Sequence, residues 1–245
     1  MKIGVALSGC DIGGVCAAGV LHWLQKEGIR INMISASGTA SPATLLFCCG
    51  FGIRQRDVLL KEFLEEYRGI DLDSAIASLS ARLSPEMLGQ VAGLVIASTN
   101  LPDGKVAAFT NDFTFETETL VTIPLLEPYD ALSASIGAVD GLGYYPYQGF
   151  TLCDYSVRYG CPIFPLHLAG CDKVLSFSFL PQIPGTAYEV LIHRRIQETG
   201  ADADLHMALP FPPTSELPQD FAEYQQGAIS VLENCRNDLL RAIAF

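Results

Sequence analysis

The residues best suited to nucleophilic chemistry lie in the stretch 31–42, Ile-Asn-Met-Ile-Ser-Ala-Ser-Gly-Thr-Ala-Ser-Pro. A short strand turns there through small residues into a helix running to about Gly50. That is the frame of a nucleophile elbow, which tolerates little bulk two positions either side of its centre because strand and helix backbones converge. With Gly38 as the centre, Ala36 and Ala40 fill those places and fit. With Ser37 as the centre, Ser35 and branched Thr39 fill them and fit less well. The frame is therefore present while the residue at its tip has no side chain. Ser37 and Thr39 flank the tip as fallback nucleophiles, and residues of these types more often cap the helix that follows. Cys10 is a third fallback, since a helix N-terminus favours thiolate, although no basic residue adjoins it in the sequence.

Other groupings of reactive residues are weaker. The loop after the first strand imitates a dinucleotide fingerprint, but the place of its second glycine holds Asp11, which would face a pyrophosphate with like charge. His22, His167, His193 and His206 share no ligand spacing, so no metal or other cofactor is expected. Arg194 and Arg195 read as a solvated helix face. The tyrosines of residues 141–147 could line a cleft mouth, though packing is their commoner role.

These residues need elements to hold them. A buried first strand spans residues 2–7, followed by a glycine-rich loop over 8–14 and an amphipathic helix over 15–26 stopped by Gly28. After the elbow helix, residues 54–67 form a second amphipathic helix, and 71–90 short helices over the sheet edge. Residues 92–99 read as a central strand, 105–110 as its antiparallel return, 112–122 as extended, and 128–136 as a helix. Residues 137–149 read as loop, 150–153 as a strand ending at Asp154, and 162–168 as a helix opened by proline. A strand over 173–179, a helix over 187–199, a strand over 203–209 and one long helix over 221–244 complete the chain. Strand and helix alternate through most of it, so the expectation is one α/β domain over 1–245 with a mainly parallel central sheet and helices on both faces.

Composition narrows the partners. Apolar residues make up 49% of the 245, enough for a large core. A net charge of −12 argues against binding nucleic acid and against a general attraction to anionic membranes, leaving only a local peripheral contact. The eight cysteines form no C-x-x-C pair, and Cys48 and Cys49 are neighbours in a helix, which reads as reduced, buried thiols in a cytoplasmic protein. Leu7-Ser8-Gly9-Cys10 matches a lipoprotein cleavage pattern, but the apolar run before it falls short of the ~7–15 residues of a signal core. No stretch approaches the ~18 consecutive apolar residues of a spanning helix.

Taken in order, these segments resemble the patatin-like phospholipase family in its small bacterial form. Residues 2–9 and Ala17-Ala18-Gly19-Val20-Leu21 look like its first strand, oxyanion loop and first helix. Residues 34–50 align with its elbow without a gap. Thr99-Asn100-Leu101-Pro102-Asp103-Gly104 is similar to its T-D-L-x-T-G hairpin, and Ala134-Ser135 to its A-S-x-A-x-P segment. Asp154 and Pro162 stand where its D-G-G-x-x-x-N-x-P begins and ends. Gly170-Cys171-Asp172-Lys173-Val174 and Ala203-Asp204-Leu205 match two later strand starts. The resemblance implies a three-layer patatin-like fold and hydrolysis of lipid acyl esters by a Ser–Asp dyad. In that chemistry a serine attacks the ester, an aspartate takes its proton, and the N–H groups of a G-G-G-x-R-G loop hold the oxyanion.

Three departures count against that activity. The central serine of G-T-S-A-G is Gly38, and losing the nucleophile costs on the order of 10⁶ in turnover in a well-studied serine hydrolase. The oxyanion loop reads Gly9, Cys10, Asp11, Ile12, Gly13 and Gly14, with Gly13 in place of the basic residue. If the Asp11 carboxylate points inward, it repels a developing oxyanion by about 4 kcal/mol at 4 Å and an effective dielectric near 20. The aspartate turn keeps Asp154 but has Tyr155 and Ser156 in place of two glycines, and Asp154 reads equally well as a turn or cap carboxylate. The expectation is a homologue without hydrolysis that binds a lipid or acyl group or regulates. The alternative is an acyl hydrolase working through Ser37, Thr39 or Cys10, and a third reading is a structural partner of an active homologue.

Overall fold

Alternation of buried residues along the strands decides the architecture. In strand β3 (Gly93–Asn100), Leu94 and Ile96 enter the larger apolar core while Val95 and Ala97 enter the smaller one on the other face. Strands β1 (Ile3–Gly9), β2 (Met33–Gly38) and β4 (Val106–Thr110) alternate likewise. A strand apolar on both faces must be covered on both, which is the signature of a parallel sheet in an α/β protein. The computed structural model describes residues 1–68, 71–111, 114, 117–137, 143–211 and 221–244.

Helices α1 (Ala17–Lys26), α2 (Ser41–Cys48), α3 (Ile53–Arg68), α4 (Leu72–Ser80) and α5 (Pro128–Ile136) supply the larger core. The smaller core is closed by Tyr155, Cys161, Ile163 and Leu166, around the short helices α6 (Ser156–Tyr159) and α7 (Phe164–Leu168). The chain is thus an α/β fold with a mainly parallel sheet between helical layers, as its alternating elements predict.

The sheet runs β5 (Leu120–Pro124), β4, β3, β2, β1, β8 (Lys173–Pro181), β9 (Leu205–Phe211). A hairpin of β6 (Tyr145–Tyr147) and β7 (Phe150–Asp154) joins through β7 to β3. Strands β1, β2, β3, β8 and β9 run parallel, while β4 and β7 pair antiparallel with β3.

Strand β3 changes partner halfway along. It pairs with β2 only from Met33–Gly93 to Ala36–Ile96, and with β7 from Ser98–Asp154 to Asn100–Leu152. The Asn100 side chain locks this junction, accepting from the Thr151 N–H at 3.0 Å and donating to Asp103 at 2.8 Å. That change of partner carries Asp154 to the end of β2.

Helix α8 (Ala187–Thr199) begins with a capping box in which Thr186 and Glu189 satisfy each other's backbone N–H groups. Helices α9 (Phe221–Asn234) and α10 (Arg236–Ala244) replace the single long helix expected. They meet at Cys235, whose N–H still bonds the Val231 carbonyl at 3.1 Å, so the division is a joint in one rod. Residues 137–149 are not all loop: β6 is built there, with Tyr145 donating to Asp130 at 2.5 Å and Tyr147 set edge-on to Phe109. Of the tyrosines there, Tyr145 and Tyr147 pack while Tyr144 is exposed, and residues 138–142 lie outside the described residues. Of the extended segment expected over 112–122, residues 112–113 and 115–116 also lie outside them, and the strand is Leu120–Pro124. No helix among the described residues is long and apolar enough to cross a membrane.

Candidate active site

Strands β1 and β2 end side by side, with Gly9 paired to Gly38, and β8 ends on the other flank with Phe179 paired to Gly9. Their C-terminal ends are where ligands bind in parallel α/β sheets. Gly38 has φ +58°, a left-handed conformation that disfavours any residue with a Cβ. A Cβ built on Gly38 would stand 3.2 Å from Asp154 Oδ2 and would collide with the Gly9 carbonyl oxygen. The position expected at the centre of the elbow therefore does face Asp154, and backbone already fills the space its side chain would need.

The Gly9 carbonyl also accepts a hydrogen bond from the Thr39 N–H at 3.1 Å. In a nucleophile elbow the N–H of the residue after the tip is an oxyanion donor. Here that donor is consumed by the chain itself.

Glycine is required on the facing loop for packing. A Cβ at Gly14 would collide with the Thr39 hydroxyl and with the backbone of Thr39 and Ala40, and one at Gly9 would collide with Gly14. The loop closes onto the elbow through these bare backbones. Gly13 is buried in the 3-10 turn Asp11–Cys16 that leads into α1. The side chains of Asp11 and Ile12 lie outside the described residues, so the direction of that carboxylate is not described.

Asp154 is completely buried. Its Oδ1 accepts from the Ser156 N–H at 2.9 Å and its Oδ2 from the Tyr188 hydroxyl at 2.7 Å. Burial first, and the Asp154 carboxylate second, push the Tyr188 phenol well above its ordinary range, so it stays a protonated donor. Burial and the same carboxylate raise the Cys153 thiol to about 12.

The three fallback nucleophiles are all placed. Ser37 lies on the other face of β2, and its hydroxyl shares a hydrogen bond of 3.1 Å with Ser156, which in turn bonds Ser8 at 2.9 Å. All three serines are fully buried. Thr39 is buried against Gly9 and Gly14, and its hydroxyl meets no hydrogen-bond partner among the described residues. Cys10 continues β1, its N–H bonding the Phe179 carbonyl at 3.3 Å, and its side chain packs with Leu180, Ile192, Ile196 and Tyr188. The structure thus brings Gly38, Asp154, Gly9, Gly14 and Thr39 together and turns Ser37 away.

Sequence reading missed Tyr188 and the serine cluster. Nothing in spacing links residue 188 to 154. The available signal was topological: the first turn of a helix that follows a strand beside β1 stands at the same sheet edge as the elbow. Ser8 and Ser37 are register partners, and alternation places both on the face covered by α6.

No family model and no curated protein matches the chain. Among solved structures, VipD from Legionella pneumophila aligns at a TM-score of 0.46 and 10% identity, over 93% of this chain and 64% of that one. The ExoU–SpcU complex from the type III secretion system of Pseudomonas aeruginosa aligns at 0.46 and 13% identity, over 98% of this chain and 52% of the matched one. Human GIVD cytosolic phospholipase A2, in complex with methyl gamma-linolenyl fluorophosphonate, aligns at 0.45 and 13% identity, over 92% and 52%. The chain spans 64% or less of the length of these solved chains.

Proposed function

We propose that this chain is a patatin-like protein without serine hydrolysis that serves as a binding or regulatory module for a lipid or acyl group. We place it in the cytoplasm as one domain over 1–245. The observation that carries the reading is the coincidence at the end of β2. The elbow position whose side chain would face Asp154 is a glycine, and the Gly9 carbonyl stands where that side chain would go. Two further observations support it: the Thr39 N–H is bonded to that same carbonyl, and Asp154 is bonded by Tyr188. At the elbow tip of such a site no side chain attacks, and the N–H that follows the tip is already bonded.

The alternative, a hydrolase with a displaced nucleophile, meets an obstacle at each candidate. The Ser37 hydroxyl is bonded to Ser156, Thr39 is sealed under Gly14, and Cys10 is packed among apolar side chains. The test is fluorophosphonate labelling of the purified chain together with turnover of a short p-nitrophenyl ester. No labelling and no turnover above background are expected. Turnover that disappears in an Asp154→Asn variant would overturn the reading.

A further inference from the structure

Helix α8 has two unlike faces. On the inner one, Tyr188, Ile192 and Ile196 recur at helical spacing and pack with Leu180 and Cys10 in a small core of their own. The outer one begins with Ala187, Val190 and Leu191, and Arg194 follows one turn on; all four are exposed. Val190 is 53% exposed. Ile183, in the loop just before the helix, is 72% exposed, the highest value of any large apolar side chain described. The helix is fixed at both ends. A Cβ at Gly160 would collide with the Arg195 carbonyl and the Thr199 hydroxyl, so the C-terminal half is seated directly on backbone. In the first turn the Tyr188 hydroxyl is bonded to Asp154 at 2.7 Å. The exposed apolar row therefore borders the candidate site.

The charges along this stretch say what could cover it. Between residues 182 and 193 the only formal charge is Glu189, and its carboxylate accepts from the Gly185 and Thr186 N–H groups. Beyond it, Arg194 and Arg195 are both bonded to Glu198. Two arginines balance two glutamates, so α8 is neutral in a chain of net charge −12. An uncharged apolar row with arginines at one end suits a helix that lies in the plane of a bilayer surface. The charge of the whole chain opposes an anionic leaflet, so the surface that fits is zwitterionic.

We propose that Ile183 and the outer face of α8 form a docking surface for a zwitterionic lipid bilayer. Ile183, Val190 and Leu191 enter the boundary between headgroups and acyl chains, and Arg194 stays at headgroup level. Docking brings the edge of the candidate site, marked by Tyr188, against the lipid. The choice of lipid as the occupant rests on the acyl-binding role proposed above.

Flotation of the full chain with phosphatidylcholine vesicles tests it, and saturable co-flotation is expected. Ile183→Asp and Val190→Asp, at exposed positions that leave folding intact, should each weaken it about tenfold. Leu126→Asp, comparably exposed but after β5, should leave it unchanged. Phosphatidylserine in the vesicles should weaken binding. No vesicle binding, binding unchanged by Ile183→Asp and Val190→Asp, equal loss in all three variants, or binding only with phosphatidylserine would each overturn the proposal. So would a dimer in sedimentation that Ile183→Asp dissociates, which would assign the face to a second copy. Dihexanoyl phosphatidylcholine below its micelle concentration separates this surface from the acyl-binding role. Monomer binding without vesicle binding fails the surface alone, and vesicle binding without monomer binding fails that role alone.

Discussion

The elbow after β2 and the turn after β7 face each other across the candidate site and are built in opposite ways. The elbow has no functional atom, and the space its side chain would need is taken by the Gly9 carbonyl. The turn keeps its carboxylate, fully buried, and gives it the Ser156 N–H and the Tyr188 hydroxyl. The difference has a physical origin. An absent side chain leaves a gap that neighbouring backbone can close, and close packing rewards closing it. A buried carboxylate cannot be left bare, because desolvating an unpaired charge costs several kcal/mol. The Ser156 N–H and the Tyr188 hydroxyl thus serve the buried carboxylate whether or not a nucleophile stands opposite.

The sharpest way to break this contrast is Gly38→Ser. Left-handed strain of about 1–3 kcal/mol adds to displacement of the Gly9 carbonyl. We expect a loss of about 3 kcal/mol in urea unfolding and no ester turnover. A variant that kept wild-type stability and hydrolysed esters would show that the elbow is open and that the two halves of the site are alike.

A smaller effect sharpens the other half. Asp154→Ala leaves the Tyr188 hydroxyl and the Ser156 N–H unpaired and should cost about 2–3 kcal/mol, while Tyr188→Phe should cost about 1.5 kcal/mol. The double variant should cost less than the sum, because both changes remove one hydrogen bond. Strict additivity in denaturant unfolding would mean that Tyr188 does not hold the carboxylate.

The smallest effect is on pH dependence. Tyr188 in the folded chain holds its proton above pH 10, where an ordinary tyrosine in the unfolded chain releases it. The folded state then binds more protons than the unfolded one, so stability falls as pH rises past about 10. Tyr188→Phe should make that decline shallower. Unfolding midpoints measured from pH 8 to 11 that decline equally in both proteins would remove Tyr188 from the account.

Much of the frame was legible because local rules and tertiary packing agree. Pro128 at a helix start, the small residues Ala36 and Ala40 around Gly38, and the apolar run of residues 92–99 each point to the element found. Strand β6 was not legible, because three residues centred on a proline give no strand signal; it exists through pairing with β7. The joint at Cys235 has no breaker residue to announce it. At the site, the glycines and Asp154 could be read from residue type. The Gly9 carbonyl could not, since the direction of a peptide group has no residue signature. The contact between residues 154 and 188 depends on which strands are neighbours, which spacing along the chain does not encode.

The partner exchange of β3 gives the sheet the function of a ruler. Three rungs, Ser98–Asp154, Thr99–Cys153 and Asn100–Leu152, set how far the carboxylate reaches toward the elbow. Slippage by a single rung would turn that side chain to the opposite surface, and slippage by two would carry it about 7 Å away. Tyr147 against Phe109 and Asn100 against Thr151 hold those rungs from outside the site. The tolerance of the whole arrangement is thus decided along the hairpin that ends in Asp154, by contacts that lie away from the elbow.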